Sequence, residues 1–387
     1  MSDSPSPAAA GPESAAAERL APGDPRLSFD GIAGWERGGA GLPLRMPVDR
    51  LATAMSANFS RLARTTAGVR FAVRTDASEL ELEVENDPGG SPLDVRVDGV
   101  LAHRWTGGPG HHRIAFPLPG AGGGPAEVEV WLPHLSITRI AAVTLRGHRQ
   151  LLAPERTGRR LLVHGSSLTH CMYAAGPSES WPALVAAGRG WRLRNLGFAG
   201  EAYLDPLVAR TIRDAPADLI TLELGINAYI RGAFTARSWG PAVCGFLDTI
   251  RDGHPHTPVV VLTPLSSPER ERAVNSAGLT LEDTRSLTAE AVRVLQRLGD
   301  RALHLLDGSA IAPVTDAERL YADGLHPTAA GEYVLADRIG AELANIPPAP
   351  EPTPGTGGNA PGTGGNASGT GGNTPGTGGN TPAAERA

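Results

Sequence analysis

The chain has 387 residues and a formal net charge of −6, and all 35 of its basic residues are arginine. The absence of lysine excludes a Walker A phosphate loop, a pyridoxal phosphate enzyme, a Schiff-base aldolase and a Ser-Lys hydrolase. The slight acidity argues against a nucleic-acid partner, because dedicated nucleic-acid binders usually carry a basic face. Two cysteines, Cys171 and Cys244, make a disulfide framework implausible. No stretch reaches the roughly 18 apolar residues of a membrane span and no secretory pattern is visible, so we expect a cytoplasmic protein.

Both ends of the chain have a composition typical of disorder. Residues 1–26 consist mostly of Ala, Pro, Ser, Gly and charged residues. Residues 347–387 contain no Val, Ile, Leu, Met or aromatic residue, and there the unit GTGGN recurs at Gly355, Gly362, Gly369 and Gly376. Such segments bury too little apolar surface to offset their conformational entropy. We therefore predict a disordered N-terminal segment, 1–26, and a disordered repeat tail, 347–387.

Residues 27–150 show a period-two pattern. Apolar residues alternate with polar or small ones at Val69, Phe71 and Val73, at Leu80, Leu82 and Val84, at Leu93, Val95 and Val97, and at Val128, Val130 and Leu132. Alternation of this kind marks strands with one buried face, and turn-forming Gly and Pro residues separate the runs. A series of short strands without a long helix predicts an all-β sandwich of the jelly-roll type.

Residues 159–346 show a different pattern. Short apolar runs occur at 161–163, 193–196, 219–224, 259–262 and 303–306, with helical patterns between and after them. Leu335, Ile339 and Leu343 share one helical face, and Thr280 with Asp283 predicts a capping box at the start of another helix. Strands that alternate with helices indicate an α/β domain, in which helices cover both faces of a parallel sheet.

Polar residues and glycines follow most of the predicted strands, where ligands bind in open parallel sheets. The segments are Gly165-Ser166-Ser167, Asn195 to Gly200, Gly225-Ile226-Asn227, and Asp323 with His326 beyond the fifth run. Together they supply a hydroxyl nucleophile, backbone and amide donors, and a histidine base with a carboxylate. Acyl transfer requires these groups.

In the same order, the four segments resemble the sequence blocks of the SGNH, or GDSL-type, hydrolases, and the resemblance covers residues 159–346. The GDS block corresponds to Gly165 to Ser167, the glycine block to Asn195 to Gly200, the GxND block to Gly225 to Ala228, and the DxxH block to Asp323 and His326. Ser166 and Ala228 depart from the family pattern, which has Asp at both positions. The resemblance implies a flavodoxin-like, three-layer α/β/α domain and a serine enzyme without metal or other cofactor.

The resemblance also assigns roles to individual residues. Ser167 would be the nucleophile, His326 the general base and acid, and Asp323 the residue that orients the imidazole. The oxyanion would be held by the backbone N–H groups of Ser167 and Gly200 and by the side-chain amide of Asn227. Ser166 and Cys171 are the alternative nucleophiles, and His170 and Cys171 are candidate substrate contacts. We find no cluster of side chains spaced for a zinc site.

A sandwich ahead of an SGNH domain resembles acyl esterases with a carbohydrate-binding-like module and GDSL-type acyltransferases that tailor aromatic polyketides. The resemblance implies an O-acyl ester of a small molecule, carbohydrate or polyketide as substrate. We expect an esterase that forms an acyl-enzyme on Ser167. One alternative is an acyltransferase that uses an alcohol of a sugar or polyketide as acceptor, and another is a binding protein with an inert SGNH domain. The sandwich either shapes the site or acts as a spacer.

Overall fold

The computed structural model describes residues 17–119 and 124–349, and the first part of this range is built from antiparallel strands. In chain order these are β1 (Ala17–Leu20), β2 (Ser28–Asp30), β3 (Gly34–Glu36), β4 (Leu42–Leu44), β5 (Arg70–Thr75), β6 (Glu79–Asn86), β7 (Leu93–Val97), β8 (Val100–Trp105), β9 (Gly110–Pro117), β10 (Ala126–Trp131), β11 (Thr138–Arg146) and β12 (Leu151–Leu152). One sheet has the order β1-β11-β6-β9, and a second has the order β12-β5-β10-β7-β8 with β2 also paired to β5. Strands β3 and β4 pair with each other, and helix α1 (Ala57–Arg64) follows them.

The two larger sheets bury a common apolar core, and this confirms the predicted sandwich. Phe71 and Val73 of β5 and Leu80 and Leu82 of β6 are fully buried in it. Their alternation places every second side chain of a strand on the inner face. The predicted disorder of residues 1–26 is wrong for β1, which pairs antiparallel with β11. Leu20 of β1 packs into the sandwich core, and the partner strand is too distant in sequence for a local composition window to detect.

The second part of the chain contains a five-stranded parallel sheet, as predicted. Its strands are β13 (Arg160–Gly165), β14 (Arg192–Gly197), β15 (Leu219–Glu223), β16 (Val259–Leu262) and β17 (Leu303–Leu306). Their spatial order is β14-β13-β15-β16-β17, and every pairing is parallel. This order is the flavodoxin-like one, in which ligands bind beyond the carboxyl ends of the strands, where the strand order reverses.

Helices cover both faces of this sheet. They are α2 (Ser167–His170), α3 (Trp181–Gly188), α4 (Pro206–Arg213), α5 (Ile226–Arg231), α6 (Ala236–Arg251), α7 (Leu281–Arg297), α8 (Gly308–Ile311), α9 (Ala317–Leu320) and α10 (Ala329–Ala344). Apolar side chains of α4, α6 and α7 share one core, and those of α3 and α10 share another. The predicted face of α10 and the capping box of Thr280 and Asp283 are both confirmed. Within the described ranges, no helix is long and apolar enough to cross a membrane.

Residues 350–387 and 1–16, which make up most of the two ends predicted to be disordered, lie outside the described residues. The sandwich and the parallel sheet belong to one compact unit that reaches Ala349, with no division between them. The predicted domain ranges, 27–150 and 159–346, therefore remain predictions.

Arg45, directly after β4, joins the antiparallel part to the edge strand β14. Its side chain is fully buried, and its guanidinium donates to the backbone oxygens of Asn195 and Gly197, each at 2.9 Å. It also donates to the carbonyl of Thr65 at 2.7 Å, close to α1. Burial and the nearby Arg194 lower the pKa of Arg45 to about 9. An edge strand presents carbonyls without a sheet partner, and Arg45 supplies donors for two of them.

Replacement of Arg45 by methionine is expected to destabilise the protein. Methionine fills part of the same space but leaves the carbonyls of Asn195, Gly197 and Thr65 without their donors. A buried polar group that loses its partner costs about 1–3 kcal/mol, so we expect the free energy of unfolding to fall by at least about 2 kcal/mol. Urea unfolding followed by circular dichroism measures the change. Arg50→Met, at an exposed neighbouring position, is the control, and equal losses in the two variants would contradict the proposed role.

Candidate active site

Ser167 lies at the sharp turn between strand β13 and helix α2. Gly165 permits this turn, because a Cβ atom there would lie 2.3 Å from Thr169 Oγ1 and 2.6 Å from Glu223 Oε2. Ser166 is the N-cap of α2, and its hydroxyl oxygen accepts from the backbone N–H of Leu168 at 3.1 Å. Ser167 opens the helix and is only 6% exposed. The turn thus holds the Ser167 hydroxyl at the carboxyl edge of the sheet.

Asp323 and His326 lie in the loop between α9 and α10 and reach the same edge. His326 Nδ1 donates to Asp323 Oδ2 at 2.7 Å, and the backbone N–H of His326 donates to Asp323 Oδ1 at 2.7 Å. Burial acts to raise the pKa of Asp323, but these hydrogen bonds outweigh it and hold the pKa below its ordinary value. With its proton on Nδ1, the imidazole accepts at Nε2 from the Ser167 hydroxyl at 2.7 Å. The structure therefore brings the three predicted residues into one hydrogen-bonded chain.

The two remaining oxyanion candidates meet at one loop. Gly200 lies in a 3₁₀ turn, Ala199–Glu201, which follows β14 and packs against α2. A Cβ atom at Gly200 would contact nothing within 4 Å, so the space beside this residue is open. Asn227 lies in the first turn of α5, and its Oδ1 accepts from the backbone N–H of Ala202 at 3.1 Å. This bond fixes the oxygen end of the amide, and the NH₂ end remains available as a donor.

Glu223 is a buried carboxylate beneath the Ser167 turn that the sequence analysis did not identify. Its Oε2 accepts from the backbone N–H of Ser166 at 2.7 Å, from the Ser166 hydroxyl at 2.6 Å and from the Thr169 hydroxyl at 3.4 Å. Burial raises the pKa of Glu223 to about 7. The available signal was an acidic residue inside the apolar run 219–224. Because the Ser166 hydroxyl is engaged with Glu223, Ser167 is the serine that faces His326.

The other candidates near Ser167 are turned into the interior. Cys171 is fully buried with its thiol against the carbonyl of Leu168 at 3.3 Å, and burial raises its pKa well above the ordinary value. A thiol that stays protonated is a poor nucleophile. His170 is also buried, and its Nε2 donates to the carbonyl of His134 at 2.7 Å. The structure therefore places neither side chain where a substrate would contact it.

Tyr173 lies beside His326, and both Tyr173 and the preceding residue, Met172, are partly exposed. Tyr173 is 48% exposed and Met172 is 40% exposed. The Tyr173 ring meets the His326 ring edge to face, with the centroids 5.5 Å apart and the planes at 78°. Sequence reasoning missed Tyr173, because a single aromatic residue in a loop carries no positional signal.

In the described part of the chain, no group of three or more His, Cys, Asp or Glu side chains is arranged to hold a metal ion.

The fold and the arrangement of side chains are those of an SGNH-type α/β/α enzyme. A model of the GDSL-like lipase/acylhydrolase family matches residues 163–334. The structure of the salicylyl-acyltransferase SsfX3 from a tetracycline biosynthetic pathway is 30% identical, with a TM-score of 0.78 over 85% of this chain and 97% of that one. The chain therefore belongs to the SGNH, or GDSL-like lipase/acylhydrolase, family.

Two more distant structures share the fold. A putative GDSL-like lipase from Bacteroides ovatus is 19% identical, with a TM-score of 0.70 over 86% of this chain and 98% of that one. An acetyl xylan esterase from the rumen bacterium Butyrivibrio proteoclasticus is 12% identical, with a TM-score of 0.60 over 86% of this chain and 98% of that one. No curated protein sequence matches the chain significantly. Esterases and acyltransferases thus share this architecture from the sandwich to the last helix.

Glu223 is expected to make stability depend on pH. Its ordinary pKa is 4.5 and its pKa in the folded protein is about 7, so the folded state keeps a proton that the unfolded state releases. The free energy of unfolding should therefore fall as the pH rises from about 4.5 to about 7. Glu223→Gln removes this ionisation, and the variant should lose less stability across that window. Urea unfolding at several pH values tests this, with the exposed Glu318→Gln as control. Parallel curves for Glu223→Gln and the wild type would refute the expectation.

Proposed function

We propose that the protein is a serine esterase that cleaves an O-acyl ester through an acyl-enzyme on Ser167. The observation that carries the proposal is the continuous chain from the Ser167 hydroxyl to His326 Nε2 and from His326 Nδ1 to Asp323, with both links at 2.7 Å. A hydroxyl bonded to a neutral imidazole, which is itself oriented by a carboxylate, is the arrangement that activates serine for attack.

The acyl-enzyme forms in two steps. Ser167 Oγ attacks the carbonyl carbon of the ester while its proton passes to His326 Nε2. The carbonyl π electrons move onto oxygen, and the resulting oxyanion accepts from the N–H groups of Ser167 and Gly200 and from the Asn227 amide. The C–O bond to the alcohol then breaks, and His326 returns the proton to the leaving oxygen. Asp323 stabilises the imidazolium between the two proton transfers.

The acyl group then leaves Ser167 by the same steps in reverse, with a second nucleophile. When water attacks, His326 takes its proton and gives it back to Ser167 Oγ, and a carboxylic acid is released. When an alcohol attacks, a new ester forms. The hydrogen-bonded chain from Ser167 to Asp323 serves both outcomes.

Acyl transfer to an alcohol is the second candidate function. It is favoured by the likeness to the salicylyl-acyltransferase SsfX3, which extends over 97% of that chain. The names of the similar structures mention different acyl groups, salicylyl and acetyl, so the proposed substrate is an O-acyl ester of a small molecule, a carbohydrate or a polyketide. An inert binding domain fits less well, because such a domain has no need of the aligned Ser167, His326 and Asp323.

A fluorophosphonate probe should label Ser167. Intact-mass analysis and peptide mapping of the labelled protein should find one adduct on this residue, together with turnover of short p-nitrophenyl esters. Ser167→Ala should lose both signals, and Ser166→Ala is the matched control because it removes the adjacent hydroxyl. Complete absence of labelling and turnover in the wild type would refute the enzyme proposal. A label on Ser166 would overturn the assignment but keep the class.

The same assay separates hydrolysis from transfer. With an alcohol acceptor added, a transferase should release p-nitrophenol while the acyl group appears as a new ester by mass spectrometry. A hydrolase should release the free acid at every acceptor concentration.

Asn227→Ala should lower turnover strongly without unfolding the protein. Loss of one oxyanion donor typically reduces kcat by about 10²–10³-fold, and KM should change little because the donor acts mainly in the transition state. Steady-state kinetics with a p-nitrophenyl ester provide the measurement. Asn345→Ala, at an exposed position after α10, is the control. An unchanged kcat in Asn227→Ala would remove Asn227 from the proposed oxyanion hole.

A further inference from the structure

Glu201 ties the loop of the oxyanion candidates to the antiparallel part of the chain. Its Oε1 accepts from the side-chain amide of Asn58 at 2.9 Å, and its Oε2 accepts from the Ser56 hydroxyl at 3.1 Å. Ser56 is the N-cap of α1, and Asn58 lies in the first turn of that helix. The carboxylate therefore lies at the N-terminus of an eight-residue helix, where negative charge is favourable.

The position of Glu201 in the chain links it to both oxyanion candidates. Gly200, which would donate its backbone N–H, precedes it. Ala202 follows it, and the backbone N–H of Ala202 donates to Asn227 Oδ1 at 3.1 Å. A displacement of Glu201 would therefore move one proposed donor directly and release the bond that orients the other.

The backbone around Glu201 needs external support. Ala199 has a φ of 45° and Leu204 a φ of 66°, both in the left-handed region. Residues other than glycine adopt this region at a cost of about 1–3 kcal/mol, and they persist there when surrounding contacts hold them. Neither position is glycine, so the loop would relax to another conformation if its contacts were lost.

The antiparallel part supplies contacts on the strand side of the loop as well. Phe59 of α1 packs against Phe198, with the ring centroids 4.8 Å apart. The Arg45 guanidinium lies 5.1 Å from the centre of the same Phe198 ring and bonds the carbonyl of Gly197. The segment from Arg45 to Phe59 thus holds the loop both before and after Gly200.

We infer that Glu201 is a positioning residue, through which Ser56 and Asn58 fix the oxyanion donors of Gly200 and Asn227. The inference rests on the proposed function, since it assigns Glu201 to the reaction of Ser167. It makes the antiparallel part a component of the active site, and not a separate spacer.

Kinetics of Glu201 variants test the inference. Glu201→Ala should lower kcat about tenfold or more and change KM little, because small displacements of catalytic groups can cost up to about 10²-fold in rate. Glu201→Gln should recover most of the loss, since its amide can still pair with Ser56 and Asn58. Asn58→Ala should lower kcat, as Glu201→Ala does. Ser60→Ala is the matched control, because its hydroxyl bonds the carbonyl of Ser56 within α1 and not Glu201.

A double-mutant cycle separates positioning from a purely structural role. If Glu201 acts through the oxyanion donors, the loss of kcat in Glu201→Ala combined with Asn227→Ala should be smaller than the product of the single losses. A lowered melting temperature with unchanged kcat in Glu201→Ala, or strictly multiplicative losses, would overturn the inference. Fluorophosphonate labelling of Ser167 in the wild type distinguishes this failure from failure of the proposed function, because only the latter abolishes labelling there.

Discussion

The hydrogen bonds of Arg45 to the edge strand β14 join the antiparallel part of the chain to the parallel sheet beside the proposed active site. Strand β14 is at the edge of the parallel sheet, so part of its backbone has no neighbouring strand. Arg45 contributes donors from the antiparallel part to the carbonyls of Asn195 and Gly197. The loop that carries Gly200 begins directly after this strand. One buried guanidinium therefore fixes the sheet edge and the start of the proposed oxyanion loop together.

Two of the buried ionisable side chains, Arg45 and Glu223, support the site from below. Arg45 lies beneath the Gly200 loop, and Glu223 lies beneath the Ser167 turn. Burial favours the neutral form of each side chain. It lowers the pKa of Arg45 to about 9 and raises the pKa of Glu223 to about 7. Arg45 donates to the carbonyls of Asn195 and Gly197 ahead of the Gly200 loop, and Glu223 accepts from the backbone N–H and the hydroxyl of Ser166, next to Ser167. These costly buried groups hold the site rigid, as expected where catalytic geometry must be preorganised.

Much of the fold could be predicted from local patterns. Period-two runs such as Phe71 to Val73 predicted sandwich strands, and the five apolar runs predicted the parallel strands. The missed elements had weaker local signals. Strand β1 contains one buried residue, Leu20, and its pairing with β11 crosses most of the sandwich sequence. The site shows the same division. Ser167, Asp323 and His326 follow from short motifs, whereas Glu223 and Glu201 have meaning only through contacts with distant residues.

Composition and local motifs specify the chemical classes open to this protein and the order of most of its elements. Without lysine, a serine mechanism has to use histidine, and the four motif segments name the residues concerned. The three-dimensional fold is needed to show that Ser166 bonds Glu223 while Ser167 faces His326, and that Cys171 is buried. It also brought Ser56 and Asn58 to Glu201, across more than 140 residues of sequence. Hydrogen bonds and burial depend on distances in space, which local sequence patterns do not encode.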